Sequence, residues 1–285
     1  RRLFSEGTFN AAFIPSYSSE LNKNKKNAQL FANNIFNILF LSLLIIVFII
    51  EIFMPLFIVL IAPGFTGDSE KLEIAINLTR ITFPFLLFVS LSSFFSAILN
   101  SHNRFAIAAA APIILNIFLI SVLSYGNILG DKLVYYLSYG VTFAGIVQFI
   151  FLYNYVKKFY SPKFLFKVTI DEKVKKFFKK LLPSIFSSGV TQINILIGTI
   201  IASFQAGAVS YLYYADRVYQ INLAVAGIAV GTVMLPELSK QVKNNNYDQI
   251  NNLQNRALEL SLYLSVPAAT ALVLASEQII TSLFG

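Results

Sequence analysis

Long apolar runs separated by short polar interruptions organise this sequence. Leu30–Ile50, Ile81–Leu99, Phe105–Leu123, Leu133–Tyr155, Leu181–Phe204, Tyr211–Leu235 and Ala257–Ser276 are each about 20 residues long. A bilayer core of roughly 30 Å is crossed by about 20 helical residues at about 1.5 Å each. The pattern predicts seven nearly complete transmembrane helices. Arg1–Ser18 reads as the later part of an eighth that begins upstream. The chain opens on Arg1-Arg2 and stops at Phe284-Gly285, just past an apolar run, and reads as an excerpt of a longer protein. The expected fold is all-α: a polytopic transmembrane helix bundle, incomplete at both ends.

Composition agrees with that pattern. Apolar residues make up 56% of the chain and charged residues 13%, whereas soluble domains are about a quarter charged. An ordinary globular domain is excluded. The net charge of +8 would suggest nucleic acid on a soluble protein, but the placement of the charges removes that partner. Sixteen basic residues fall in alternate connections: Lys23 to Lys26, Arg104, Lys157 to Lys180, and Lys240 to Arg256. The intervening connections hold two, Lys71 and Lys132. The excess of Lys and Arg on one side marks it as cytoplasmic. Segments 19–29, 101–105, 157–180 and 236–256 are therefore expected on the cytoplasmic side. Within 157–180, Lys173, Lys175, Lys176, Lys179 and Lys180 flank Phe177 and Phe178, an amphipathic stretch suited to anionic membrane lipids.

A short repeat adds symmetry. Phe13-Ile14-Pro15-Ser16-Tyr17-Ser18 parallels Met234-Leu235-Pro236-Glu237-Leu238-Ser239 at an offset of 221 residues. Each leads through a Lys/Asn-rich connection into a long apolar run. An even number of spans separates the copies, so they share a side and the repeat is parallel. Two pseudo-symmetric lobes are expected: 1–156, a basic linker at 157–180, and the start of a second lobe at 181–285. Transporters built this way hold substrate near mid-membrane between repeats.

Charges within spans cost about 2.5–3.5 kcal/mol on insertion scales and tend to face a cavity. Arg217 lies about 15 Å along a helix from the turn at Gly207, with Asp216 beside it. Neighbours on a helix point about 100° apart and do not simply pair. Arg1 and Arg2 precede Pro15 by about 20 Å of helix, and Glu6 can pair with Arg2 at i+4. The repeat gives both lobes guanidinium groups in similar places. Arginine's planar fork suits phosphate, so Arg1, Arg2, Asp216 and Arg217 are the candidate substrate-binding residues. Arg80 lies near the outer end of its helix, where it can snorkel. The prolines at 84, 112, 183 and 267 can kink helices. Asn100, Asn116, Gln192 and Asn194 suit interhelical hydrogen bonds. There is no Cys and one His, and no H-E-x-x-H, acidic metal pair, nucleophile elbow or Walker sequence. No catalytic residue, metal or cofactor is expected.

These residues carry a family resemblance. RRLFSEGTFNAAFIP (Arg1–Pro15), APGF (Ala62–Phe65), ITFPFLL (Ile81–Leu87), AILNSHNRF (Ala97–Phe105), APIILN (Ala111–Asn116), YYADR (Tyr213–Arg217) and LPELSK (Leu235–Lys240) run in order along the chain. The chain resembles the MurJ/MviN family, proposed lipid II flippases of the multidrug/oligosaccharidyl-lipid/polysaccharide exporter superfamily. The resemblance implies a lipid-linked pyrophosphate substrate moved by alternating access, with cell-wall synthesis proteins as candidate partners. It also implies fourteen spans, of which this excerpt would cover late span two to span nine. By motif match, Arg1, Arg2 and Arg217 correspond to the family's cavity arginines, and Asp216 matches as well.

Three other classes stay open on sequence. An O-antigen-type flippase or drug antiporter would share the fold, though an antiporter for cations favours buried acids over arginines. A membrane transferase would need a clustered acid or His. A non-transporting scaffold would tolerate neutralised arginines.

Overall fold

Asn24 separates the first two helices of the structure, a computed structural model that describes residues 8–163, 170–243 and 246–284. α1 (Thr8–Lys23) and α2 (Lys25–Ile52) meet there. The Asn24 side chain accepts from the Lys26 N–H, satisfying a donor that a helix start leaves open. α2 gives way at Phe53 to α3 (Met54–Ile61), which has a proline in its first turn. A 3₁₀ turn at Pro63–Gly67 leads to α4 (Ser69–Thr82), capped by Asp68. α5 (Phe85–Ser101) and α6 (Phe105–Ser124) are joined by a tight turn with Asn103 at φ 59°. α7 (Leu133–Val156) follows two short helical turns.

α8 (Glu172–Ser203) is 32 residues long and starts at the Asp171 cap. The basic segment from Lys173 to Lys180 and the span expected at Leu181–Phe204 are thus one helix. After Gly207 come α9 (Ala208–Asn222), a π-helical segment at Leu223–Ala229, and α10 (Val230–Lys243). α11 (Tyr247–Leu274) and α12 (Ser276–Phe284) end the chain. No strand occurs among the described residues.

Among the described residues five stretches are long and apolar enough to cross a membrane: Lys25–Ile52, Ser69–Ser101, Phe105–Ser124, Gly126–Val156 and Tyr247–Leu274. α8, and α9 through α10, are also helical where spans were expected, with charged residues along them. Of the four prolines expected to kink helices, Pro84 sits at the break before α5. Pro112, Pro183 and Pro267 lie inside helices that run through them. Outward faces remain apolar, as lipid requires: Ile45, Phe48 and Ile49 on α2 and Ile113, Ile117 and Ile120 on α6 are exposed.

The chain forms two compact units, Arg1–Phe204 and Gln205–Gly285. The first is organised by an aromatic core. Phe9, Phe13 and Tyr17 recur at i, i+4 on α1, so they line one face. Phe9 and Phe13 stack at 5.3 Å, and Phe13 and Tyr17 at 5.6 Å. Against them pack Phe31, Ile35 and Phe36 of α2, Phe94 and Phe95 of α5, and Phe177 of α8. Lipid supplies no hydrophobic drive between helices, so contact and ring geometry hold this cluster.

Residues expected on one side of the membrane meet in the first unit. At the basic end Lys173 Nζ lies 2.6 Å from Glu20 Oε2, and Tyr17 Oη lies 3.3 Å from His102 Nε2. At the other end Gly64 N–H donates to Ser203 Oγ at 2.9 Å. The second unit is held by α10 against α11 and by the π segment. There a π turn frees a carbonyl from its usual partner, and Ser261 Oγ donates to Ala226 O at 2.9 Å.

The repeat is visible in element order. α1, Asn24, α2 and α3 are matched by α10, Asn246, α11 and α12. α2 and α11 are both 28 residues long, and Asn246, like Asn24, caps its helix through its side chain.

Candidate functional site

Gly207 takes φ 76°, which an L side chain rarely adopts, and a Cβ there would meet the Tyr211 ring. That turn starts α9 and sets the phase of Tyr213, Asp216, Arg217 and Gln220. The Arg217 guanidinium lies 4.6 Å from the centroid of the Tyr213 ring, one turn back, a cation–π contact. Its Nη1 reaches Gln220 Oε1 at 3.5 Å. Gln220 Nε2 donates to the Asp216 carboxylate. Asp216 and Arg217 therefore do not pair directly, as their helical phase requires. One amide orients both. A guanidinium carries five N–H donors, and among the described residues one is used. Arg217 is exposed and Asp216 half-buried. The arrangement can present a fixed planar cation with donors to spare, which is what an oxyanion binds.

Arg1, Arg2 and Glu6 lie outside the described residues. What the structure describes of that helix is its continuation, and it borders a cavity with several polar side chains in a mainly apolar lining. The cavity, of about 380 Å³, is lined by Asn10, Ser92, Ser96, Asn100 and Gln148 together with alanines, Val89 and Pro112. Ser92 and Gln148 are each 4% exposed. Among the described residues Asn10 Oδ1 and Ser92 Oγ have no hydrogen-bond partner. An unsatisfied polar group in a membrane interior costs several kcal/mol, so this face suits water or a polar ligand. Sequence reasoning singled out Asn100 but gave it to helix packing, and missed Asn10, Ser92 and Gln148. The signal was there: Ser92, Ser96 and Asn100 recur at i, i+4, i+8 inside an apolar run.

The basic end is tied together by buried polar side chains. Glu20 is 7% exposed and takes Lys173 at 2.6 Å and Lys23 at 3.1 Å. The hydrogen bond from Lys173 holds its carboxyl below the ordinary glutamate value, against desolvation, with Lys23 adding to the lowering. Such a group contributes stability above its unfolded value of 4.5, and the contribution is lost as pH falls through the lower folded value. Glu20→Gln is expected to cost about 1–2 kcal/mol, between an exposed pair and a buried one. It should also flatten the acid side of the stability curve. Thermal unfolding of the purified protein from neutral pH down through 4.5 and below measures both.

His102 stacks on Phe159 at 4.4 Å. Burial, with Lys25 adding, pushes its imidazole below the ordinary value. It is a packed, neutral ring. At the opposite end Arg80 Nε lies 3.7 Å from Glu51 Oε2, so the arginine expected to snorkel to water is paired. The Val174, Phe177 and Leu181 stripe of α8 is buried in the aromatic core, which leaves Lys175, Lys176, Lys179 and Lys180 exposed on the opposite face. Among the described residues no group of three or more His, Cys, Asp or Glu could hold a metal.

Comparison with known proteins places this architecture. The chain is 42% identical to a probable lipid II flippase MurJ of Rhizobium tropici, covering 100% of this chain and 54% of that protein. It is 40% identical to the Rickettsia prowazekii counterpart, covering 98% and 55%. A solved structure, lipid II flippase MurJ in an inward closed conformation, superposes with a TM-score of 0.81 at 28% identity, over 98% of this chain and 57% of that one. The chain spans about half the length of the curated relatives it matches. It is a multi-pass membrane chain. The family model described as lipid II flippase MurJ matches residues 1–285, and the chain belongs to that family.

Proposed function

We propose that the protein carrying this chain is a flippase. It moves undecaprenyl-pyrophosphate-linked peptidoglycan precursor, lipid II, from the inner to the outer leaflet of the bacterial cytoplasmic membrane by alternating access. The observation that carries this reading is Arg217, aimed by Tyr213 and Gln220 with most of its donors unused among the described residues. Relatives of the whole chain that are named lipid II flippases supply the substrate class.

In this reading Arg217, Arg1 and Arg2 neutralise the pyrophosphate, and Asp216 sets the pose of Gln220. The lobes are 1–156 and 181–285, with 157–180 as the basic cytoplasmic linker. The exposed lysines of α8 from Lys175 to Lys180 face anionic headgroups. Cell-wall synthesis proteins are the natural partners of the delivered substrate. No covalent step is needed: rocking requires only that the ligand bind the two states unequally.

Rescue of cells depleted of their own lipid II flippase, by the full-length protein, tests the reading. Failure of a well-expressed wild type would turn the assignment toward another lipid-linked oligosaccharide.

A further inference from the structure

Five lysines surround a pocket that the transport reading leaves unused. Lys25 and Lys26 come from the first turn of α2, and Lys157, Lys158 and Lys163 from the segment leaving α7. The cavity measures about 540 Å³. Among the described residues none of the five is paired with a carboxylate. Among the described residues Lys157 Nζ donates to the Asn154 amide oxygen, at 3.3 Å.

The pocket is built rather than incidental. Asn33 Oδ1 accepts from the Lys163 N–H at 2.7 Å and from the Tyr160 hydroxyl at 3.2 Å. Asn37 Nδ2 donates to Lys163 O at 3.0 Å. The α7 exit is thereby clamped to α2. The first turn of α2 holds no acid and two lysines, so the positive end of the helix dipole and two cations add. That is unfavourable alone and relieved by an anion. Leu30, 64% exposed, also lines the pocket. It begins the apolar face of α2 that continues outward through Ile45 and Phe48. A fitting ligand is anionic at its head and apolar below.

We propose that this pocket holds one anionic phospholipid of the adjacent leaflet. Its phosphate sits among Lys25, Lys26 and Lys158, and its acyl chains run along Leu30 and the outer face of α2. The proposal rests on reading the basic end as the cytoplasmic side. It does not depend on which lipid is transported.

Native mass spectrometry of the delipidated full-length protein tests it, with phosphatidylglycerol, phosphatidylethanolamine and inorganic phosphate as separate probes. Wild type is expected to retain phosphatidylglycerol in clear preference to phosphatidylethanolamine. The double variant Lys25→Gln/Lys158→Gln should weaken that retention about 25-fold, at about fivefold per lysine near an anionic group. Arg104→Gln/Arg256→Gln, two exposed basic residues outside the pocket, should leave it unchanged. Equal loss in both variants would overturn the pocket in favour of diffuse surface charge. Full displacement by inorganic phosphate would overturn the lipid in favour of a phosphate site. Wild type alone gives a check that no substitution can disturb: absence of any preference for phosphatidylglycerol would also overturn the proposal. Failure of lipid II transport with lipid retention intact would count against the transport reading only.

Discussion

Arg217→Ala is expected to abolish rescue of flippase-depleted cells while the protein still reaches the membrane at wild-type levels. A charge-assisted hydrogen bond contributes about 1.5–3 kcal/mol, and a planar guanidinium can give a phosphate two of them. Loss of both corresponds to a fall in transport of about a hundredfold or more. The substitution should cost little stability, because Arg217 is exposed and its partners among the described residues are Tyr213 and Gln220. Arg217→Lys keeps the charge but loses the fork, so it should fall between wild type and Ala. Full rescue by a well-expressed Ala variant would remove Arg217 from the substrate path.

Gly64→Val is expected to act on the fold instead. The Gly64 backbone lies against the last turn of α8. A Cβ built there runs into the backbone of Ser203 and Phe204. A flexible side chain could move aside, but a carbonyl at a helix end cannot without moving the helix. The Gly64 N–H also donates to Ser203 Oγ at 2.9 Å, and the Ser203 hydroxyl in turn donates to Ile200 O at 2.7 Å. Overpacking a tight site costs about 1–3 kcal/mol, and loss of this buried hydrogen bond adds about 1 kcal/mol. Thermal unfolding in detergent should show a clear drop for Val and a smaller one for Ala. The neighbouring Gly67 meets nothing within 4 Å, so Gly67→Ala is the matched control. Equal stability of all three proteins would contradict the close approach.

The helices were legible because the bilayer imposes a length on them. The 28-residue α2 and α11, the break at Pro84 and the tight turns at Asn103 and Gly207 all lie where apolar runs and polar punctuation place them. Pairing was not legible. Nothing in the spacing links Glu20 to Lys173, Glu51 to Arg80 or Gly64 to Ser203, because these contacts join segments far apart in sequence. The lysines at 157–180 showed as a basic amphipathic stretch. That its apolar stripe packs on α1 and α2 through Phe177 follows only once those helices are side by side. The site divides in the same way. Arg217 stood out because a charge in an apolar run is costly. The amide at Gln220 that orients it, and the serine face lining the cavity beside Asn10, are ordinary residues individually, and each matters only through its own local neighbours.

Flipping of lipid II by the purified full-length protein in proteoliposomes tests the central claim most directly. The lipid is loaded in one leaflet and its arrival in the other is read by an impermeant reagent. The expected result is transfer of lipid II that protein-free vesicles lack. A polyprenyl lipid without the pyrophosphate should not move, and Arg217→Ala should be inactive. Transfer of both lipids at the same rate, or none by well-folded wild type, would contradict an arginine-guided lipid II flippase.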